Sequence, residues 1–390
     1  MLNSFEKNII SLIKSSLDGT PPSISDTLDL EVLYKFSQKM QITPLLYYGV
    51  EKTPNAFDTI YGKRFLKSEI VYSYLCQKQS EQINVLKREF DKEKIDYMLL
   101  KGSIIREYYP NVDMRLMSDA DILIRKEQFK KKIKPLMKKL GYVDVLESDH
   151  EYVFTKDGFQ IELHKRLIPS YNKDYYAYFG DGWRLARKKD GDNSEYEMTS
   201  EDNFVYMFTH YAKHYRDAGI GIKHITDFYV FLKKYKDLDW IYINQELESL
   251  QLLEFWKNTQ KMLGVWFNDA ECDEISEFMT HRIFSGDAYG THEAHVLSQG
   301  VKTSKTTKNV RAKTFFKSVF PAYKEMKISH RYLSKAPFLL PLAWTFRWVA
   351  IIFNPKRIKR NRHNMKTLTN ENIHTYQSEL NYVGLDFNFE

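Results

Sequence analysis

From residue 95 to residue 163 the chain drops the helical period of what precedes it and breaks into short apolar runs separated by turn residues. Residues 95–100, 120–124, 143–145, 152–155 and 159–163 are each too short for a packed helix. They predict strands. Lys156-Asp157-Gly158 predicts a hairpin turn between the last two. Residues 126–140 predict a charged helix ending at Gly141, a residue suited to a left-handed cap. Residues 104–109 give a helical turn or two, stopped by Pro110. This succession makes a small α/β unit of about 75 residues.

The flanks keep a helical period. Leu12, Ile13 and Leu17, then Leu28, Val32, Leu33 and Phe36, recur at helical spacing. Residues 62–94 predict one long helix with Ile70, Leu75, Ile83, Leu86 and Phe90 as its buried stripe. Ser200-Glu201-Asp202 opens another helix with acids in its first turn. Helices are also expected over 223–235 and 240–266, and a polar, Lys/Thr-rich linker or exposed loop over 298–313. The expected fold class is α+β. Its divisions are a helical region over 1–94, a small mixed sheet over 95–170, a helical domain over 171–300, and a basic region with one apolar helix over 301–390.

Charge is unevenly spread. Residues 301–366 hold seventeen Lys or Arg and one acid, Glu325, a net +16 in a chain of net +7, which leaves −9 elsewhere. A polyanion or an anionic membrane surface is the natural partner of such a segment. The two cysteines, Cys76 and Cys272, make no disulfide framework. The N-terminus lacks the basic and apolar blocks of a secretion signal. A cytoplasmic location is therefore expected, with the alternative of a peripheral position at the inner face of a membrane.

Chemistry concentrates in one ordered constellation. Gly102-Ser103 falls between a strand and a helix, where backbone N–H groups and a hydroxyl can approach a phosphate. Asp119 and Asp121 are two apart on a strand and share a face. They can share divalent ions, and Mg²⁺ favours carboxylates together with substrate phosphates. Glu162 lies on a later strand and would complete a two-metal site as the third carboxylate. Lys101 and Arg115 flank these residues, suited either to neutralising a triphosphate or to an internal salt bridge. His164 shares the strand face of Glu162. His210 and His214, four apart, share a helix face that could bind zinc, though no Glu follows His210 as in a metalloprotease helix. There is no Walker-type phosphate loop, and Gly219-Ile220-Gly221 lacks the third glycine of a dinucleotide fingerprint.

On Leu100-Lys101-Gly102-Ser103, Tyr108, Arg115, the strand opening Asp119-Ala120-Asp121, Gly141-Tyr142 and Ile161-Glu162-Leu163-His164, the sequence resembles the polymerase-β-like nucleotidyltransferase superfamily. It looks most like an uncharacterised bacterial nucleotidyltransferase family sometimes encoded beside surface-polysaccharide genes. A second stretch of similarity runs from Ser200 through His210, His214, Lys223 and Asp227. The resemblance implies a mixed-sheet nucleotidyltransferase palm over 95–170. It also implies two Mg²⁺ ions held by Asp119, Asp121 and Glu162, and an NTP such as ATP as substrate. His210, His214, Lys223 and Asp227 would face the nucleotide. The implied reaction moves an NMP to an acceptor hydroxyl or phosphate, releasing pyrophosphate. A surface-glycan precursor, RNA or tRNA, or a protein could be that acceptor, and a non-catalytic nucleotide-binding module is the reading from another class. Two features depart from the superfamily pattern: fifteen residues separate Ser103 from Asp119, and Lys101 stands where a second small residue is usual.

Residues 336–354 are nearly all apolar, with Arg347 near the centre and Lys356-Arg357-Ile358-Lys359-Arg360 directly after. Three readings fit: a helix packed on the palm, a helix lying on an anionic leaflet with Trp344 and Trp348 as interfacial anchors, or a membrane span.

Overall fold

The computed structural model describes residues 1–24, 28–191, 193–304, 309–323, 326–327 and 330–386. They form two compact units. The first joins Met1–Ala212 to Ile220–Ala288, and the second joins Lys213–Gly219 to Tyr289–Phe387. The architecture is α+β, with one mixed sheet among helices.

The first unit opens with α1 (Ser4–Asp18), α2 (Leu30–Met40), α3 (Thr43–Val50) and α4 (Ile60–Lys92). The start of α1 is fixed by a reciprocal pair: the Asn3 side chain accepts from the Glu6 N–H, and the Glu6 carboxylate accepts from the Asn3 N–H. On α4 the expected stripe is half right. Ile83, Leu86 and Phe90 are buried, but Ile70 and Leu75 are 65% and 46% exposed. The tertiary neighbours choose the face. Phe65 packs edge-on against Tyr34 of α2, with ring centres 5.1 Å apart. The buried row from there runs through Glu69, Cys76, Ile83 and Phe90 and leaves Ile70 and Leu75 on the other side.

The strands are β1 (Tyr97–Leu99), β2 (Asp119–Ile124), β3 (Val143–Glu147), β4 (Glu151–Lys156), β5 (Phe159–His164), β6 (Arg187–Lys188) and β7 (Glu195–Glu197). Their spatial order is β3-β4-β5-β2-β1-β7-β6. β2 runs parallel to β5 and β1 parallel to β7, and the other pairs are antiparallel. β6 and β7, two and three residues long, have no sequence signal of their own; β7 forms by pairing with β1, and β6 by pairing with β7. Asp157 and Gly158 both take positive φ, so the predicted β4–β5 turn is a two-residue hairpin.

Period-two alternation sorts the two faces. Ala120, Ile122 and Ile124 of β2 and Phe159, Ile161 and Leu163 of β5 pack with Leu86 and Phe90 of α4 in one core. Asp119, Asp121, Glu162 and His164 therefore point to the opposite face. The predicted helix over 126–140 is interrupted. α5 (Gly102–Ile105) precedes β2, while α6 (Lys126–Gln128) and α7 (Lys134–Lys139) are separated by a π turn, Phe129–Ile133. Pro135 has no N–H to give to the preceding turn, and the helix widens there. After α8 (Lys173–Phe179), an aromatic core joins α9 (Ser200–Asp217), α10 (Ile222–Lys234) and α12 (Leu253–Phe267), with α11 (Trp240–Ser249) alongside. There Phe204 and Phe208 lie 4.9 and 5.2 Å from Trp256. α13 (Glu274–Ser285) closes the first unit.

The second unit contains α14 (His292–Ser304), α15 (Val310–Val319), α16 (Leu340–Ile352), α17 (Pro355–Thr367) and α18 (Asn370–Tyr382). The linker expected over 298–313 is thus helical at both ends, and its residues 305–308 lie outside the described residues. Ser298, Gly300 and Val301 are buried. A Cβ on Gly300 would stand 2.8 Å from Leu368 Cδ2 and 3.1 Å from Ile373 Cδ1, so close helix packing overrides the polar composition. Among the described residues no helix is long and apolar enough to cross a membrane, which removes the span reading of 336–354.

Candidate active site

The site is built where β1 turns into α5 beside β2 and β5. Ser103 N–H donates to Leu100 O at 3.1 Å, closing a tight turn with Lys101 at its second position. Lys101 has φ +46° and ψ −119°. That conformation suits glycine and strains a residue with a Cβ by about 1–3 kcal/mol. Two contacts to one residue hold it: Leu100 N–H donates to Asp121 O, and Lys101 Nζ donates to Asp121 Oδ1, both at 3.0 Å. Gly102 takes ordinary backbone angles, and a Cβ there would meet Met117 Sδ at a normal 3.4 Å.

β2 and β5 stand in register, Asp121 opposite Glu162 and Leu123 opposite His164. His164 Nε2 lies 2.6 Å from Asp121 Oδ1 and 3.6 Å from Glu162 Oε2. One oxygen of Asp121 therefore takes both an ammonium and an imidazole. Burial pushes the Asp121 pKa up, but the Lys101 charge and the His164 hydrogen bond outweigh it and hold the carboxyl well below its usual range. Burial disfavours the charged forms of Lys101 and His164, yet the neighbouring carboxylates more than compensate and both pKa values rise. Asp119 behaves in the opposite way. Burial, then repulsion from Asp121 and Glu162, lifts its pKa to about 6.

Asp121, Glu162 and His164 each offer a ligand atom within 4.8 Å of the others. Asp119 shares the face but is not in that group, so the sequence-expected carboxylate set and the observed cluster differ by one exchange, His164 for Asp119. Two carboxylates and an imidazole are a donor set that fits a divalent cation. Two buried polar atoms beside them have no hydrogen-bond partner among the described residues: His164 Nδ1 and Ser103 Oγ.

A second polar cluster lies nearby in the chain. Arg115 grips Asp227 by a fork, Nε to Oδ1 at 2.7 Å and Nη2 to Oδ2 at 2.8 Å. Tyr109 adds its hydroxyl to Asp227 Oδ1 at 2.7 Å and lies 2.8 Å from Thr226 Oγ1. Arg115 and Asp227 thus hold each other, tying the segment before β2 to α10. Lys223 is buried one turn earlier on α10. His210 sits one turn after Tyr206 on α9, its ring 6.5 Å from those of Tyr206 and His224. His214, a further turn on, falls in the second unit.

Sequence reasoning missed Tyr109 and Tyr206. Tyr206 is buried, and its hydroxyl is close enough to the Lys101 ammonium to feel its charge. Its signal was available: it lies four residues before His210, on the helix face His210 shares with His214. Tyr109 had none, because a tyrosine before a proline reads as a turn.

Residues 26–268, well over half of the chain, match the family described as uncharacterised nucleotidyltransferase. The chain belongs to that family. It is an enzyme of the nucleotidyltransferase type. Comparison with curated proteins and with solved structures gave no match. The matched region of the nucleotidyltransferase contains the whole sheet, the Lys101–Asp121–His164 cluster and the Arg115–Asp227 fork, while α14 to α18 lie beyond it.

Proposed function

We propose that this nucleotidyltransferase moves an NMP from an NTP to an acceptor hydroxyl or phosphate, using Asp119, Asp121 and Glu162 to hold two Mg²⁺ ions. The observation that carries the reading is the register of β2 against β5, which sets Asp121 beside Glu162 with Asp119 on the same face. Three acids on one partly buried face repel one another, which adds to desolvation in raising the Asp119 pKa. Such crowding costs stability in the free chain and suits bound cations. When bound, the ions supply charge neutralisation for the triphosphate and lower the pKa of the attacking hydroxyl.

The residues of the chain divide the remaining work. The acceptor oxygen forms a bond to the α-phosphorus, the bond to the bridging α–β oxygen breaks, and pyrophosphate leaves. The proton of an acceptor hydroxyl passes to Glu162. Lys101 and the Ser103 hydroxyl would meet the phosphates. His164 holds Asp121 in place through Nε2. His210, His214 and Lys223 are assigned to the nucleotide, and Arg115 with Asp227 to the wall that positions it. The acceptor class proposed is a phosphorylated surface-glycan precursor.

The test is pyrophosphate release from an NTP with Mg²⁺ by the wild type and by Asp121→Asn and Glu162→Gln. Loss of release in both, with the circular-dichroism spectrum of the folded chain retained, supports the reading. Full release by either variant overturns it. One observation favours a second reading, a nucleotide-binding module without transfer: the Lys101 ammonium already occupies a cation's place against Asp121 Oδ1. Nucleotide binding that needs Lys101 but no metal, with no pyrophosphate released, would establish it.

A further inference from the structure

The second unit carries an apolar helix face that stays exposed among the described residues. Within α16, Leu342, Phe346 and Val349 are 47%, 58% and 52% exposed, and the flanking Phe338, in the 3-10 turn before the helix, and Phe353, just after it, are 79% and 81% exposed. The spacing of four and three places Leu342, Phe346 and Val349 in one stripe along the helix. The opposite side is satisfied by its own unit. Ala343 is fully buried with Met326 and Leu333. Trp344 and Trp348 hold Phe320 edge-on at 5.2 and 5.3 Å, and their indole N–H groups donate to Pro321 O and Val319 O. The tryptophans that the sequence offers as interfacial anchors are therefore turned inward.

Neither interrupting polar residue spoils the stripe. Arg347 is on the packed side, where Nη2 donates to Ser318 O at 3.5 Å. Thr345 lies next to the stripe and gives its hydroxyl to Leu342 O at 2.7 Å, so no donor is left to desolvate. The next helix, α17, follows α16 after two residues and carries Lys356, Arg357, Lys359, Arg360, Arg362 and Lys366 without one acid.

From this pairing we infer that α16 and α17 form a docking surface for an anionic phospholipid bilayer, with α16 lying in the interface plane. Thirteen residues of helix reach about 20 Å, too short to cross the hydrocarbon and suited to lying along it. The apolar stripe enters the acyl boundary, and the cations of α17 take the headgroup phosphates. Charge decides among occupants. A second copy docked through the same face would set this acid-free helix near its own twin. A bare polyanion such as RNA would leave the phenylalanines in water.

The test is flotation of the full chain with phosphatidylcholine vesicles, with and without about a third phosphatidylglycerol. The expected result is binding to the anionic vesicles only. It falls roughly ten-fold in Phe346→Gln/Val349→Gln and, separately, in Lys359→Gln/Arg362→Gln, and is weakened by about 0.5 M salt. All four positions are exposed, so both variants keep the wild-type circular-dichroism melt. Any of these results would overturn the inference. One is absence of vesicle binding. Another is anionic-vesicle binding indifferent to Phe346→Gln/Val349→Gln, or RNA binding that needs Lys359 and Arg362 while vesicles are ignored. The last is a dimer that Phe346→Gln/Val349→Gln converts to monomer.

Discussion

Lys101 Nζ lies 3.0 Å from Asp121 Oδ1, and the backbone that delivers it is held at φ +46°, where an L side chain is strained. The ion pair and the strain oppose each other in one residue. Lys101→Ala removes the charge and keeps the strained Cβ, whereas Lys101→Gly removes both. Lys101→Gly is expected to be about 1 kcal/mol more stable than Lys101→Ala in denaturant unfolding. Equal stabilities would show that the turn stores no strain. Mn²⁺ should raise the melting temperature of both variants more than that of the wild type, because it restores the missing positive charge beside Asp121.

Asp119 gives a prediction in which stability and activity part company. It is a half-buried acid whose ionisation is opposed by desolvation and then by Asp121 and Glu162. Asp119→Asn takes one charge out of that crowd. In EDTA at neutral pH it should melt at or above the wild-type temperature, while pyrophosphate release falls about a hundred-fold or more. A variant that is both unstable and inactive would mean that Asp119 supports the fold rather than cations.

The Arg115–Asp227 fork is buried on both sides. Arg115→Met leaves an uncompensated carboxylate and should cost about 3–5 kcal/mol, while Arg115→Met/Asp227→Leu recovers most of it. Denaturant midpoints of the two single variants and the double one read this directly. The double variant also separates roles. If Arg115 acts only by pairing with Asp227, KM for the NTP returns with stability. If it also touches the triphosphate, KM stays raised in the stable double variant.

Much of this was legible beforehand. Asp119, Asp121, Glu162 and His164 could be placed on one sheet face because strand alternation is local, and Ile122 or Ile161 beside them marks the other face. The partner of Arg115 could not be read. Asp227 is 112 residues away, and no local rule says which of several acids a buried guanidinium meets. The strain at Lys101 was hidden for a similar reason: its positive φ accompanies contacts to Asp121, twenty residues on, and no local rule points to a lysine for such angles. Ile70 and Leu75 misled because a helical period tells how residues group, not which group the neighbours cover. The strands at Arg187 and Glu195 exist only through pairing, so their sequence carries no sign of them.

A carboxyl pair between α4 and the segment before β2 makes stability depend on pH. Glu69 of α4 faces Asp113, and the Tyr48 hydroxyl donates to Asp113 at 2.9 Å and to Glu69 at 3.4 Å. Burial first, and then the Asp113 charge, raise the Glu69 pKa to about 7. Its folded pKa is above its unfolded one, so the folded chain keeps a proton that the unfolded chain releases. The stabilisation is complete below the ordinary carboxyl range and is lost as pH climbs through about 7. Glu69→Gln keeps a neutral hydrogen-bonding group at every pH. Relative to it, the wild type should be equally stable at about pH 5 and weaker by about 1–2 kcal/mol at about pH 8.5. Urea titrations at the two pH values measure the difference. Because Asp113 lies two residues before Arg115, the loss above neutral pH should appear first as faster hydrogen exchange in the segment leading into β2. A wild-type stability that rises between these pH values relative to Glu69→Gln would mean that Glu69 ionises freely and that the pair does not brace that segment.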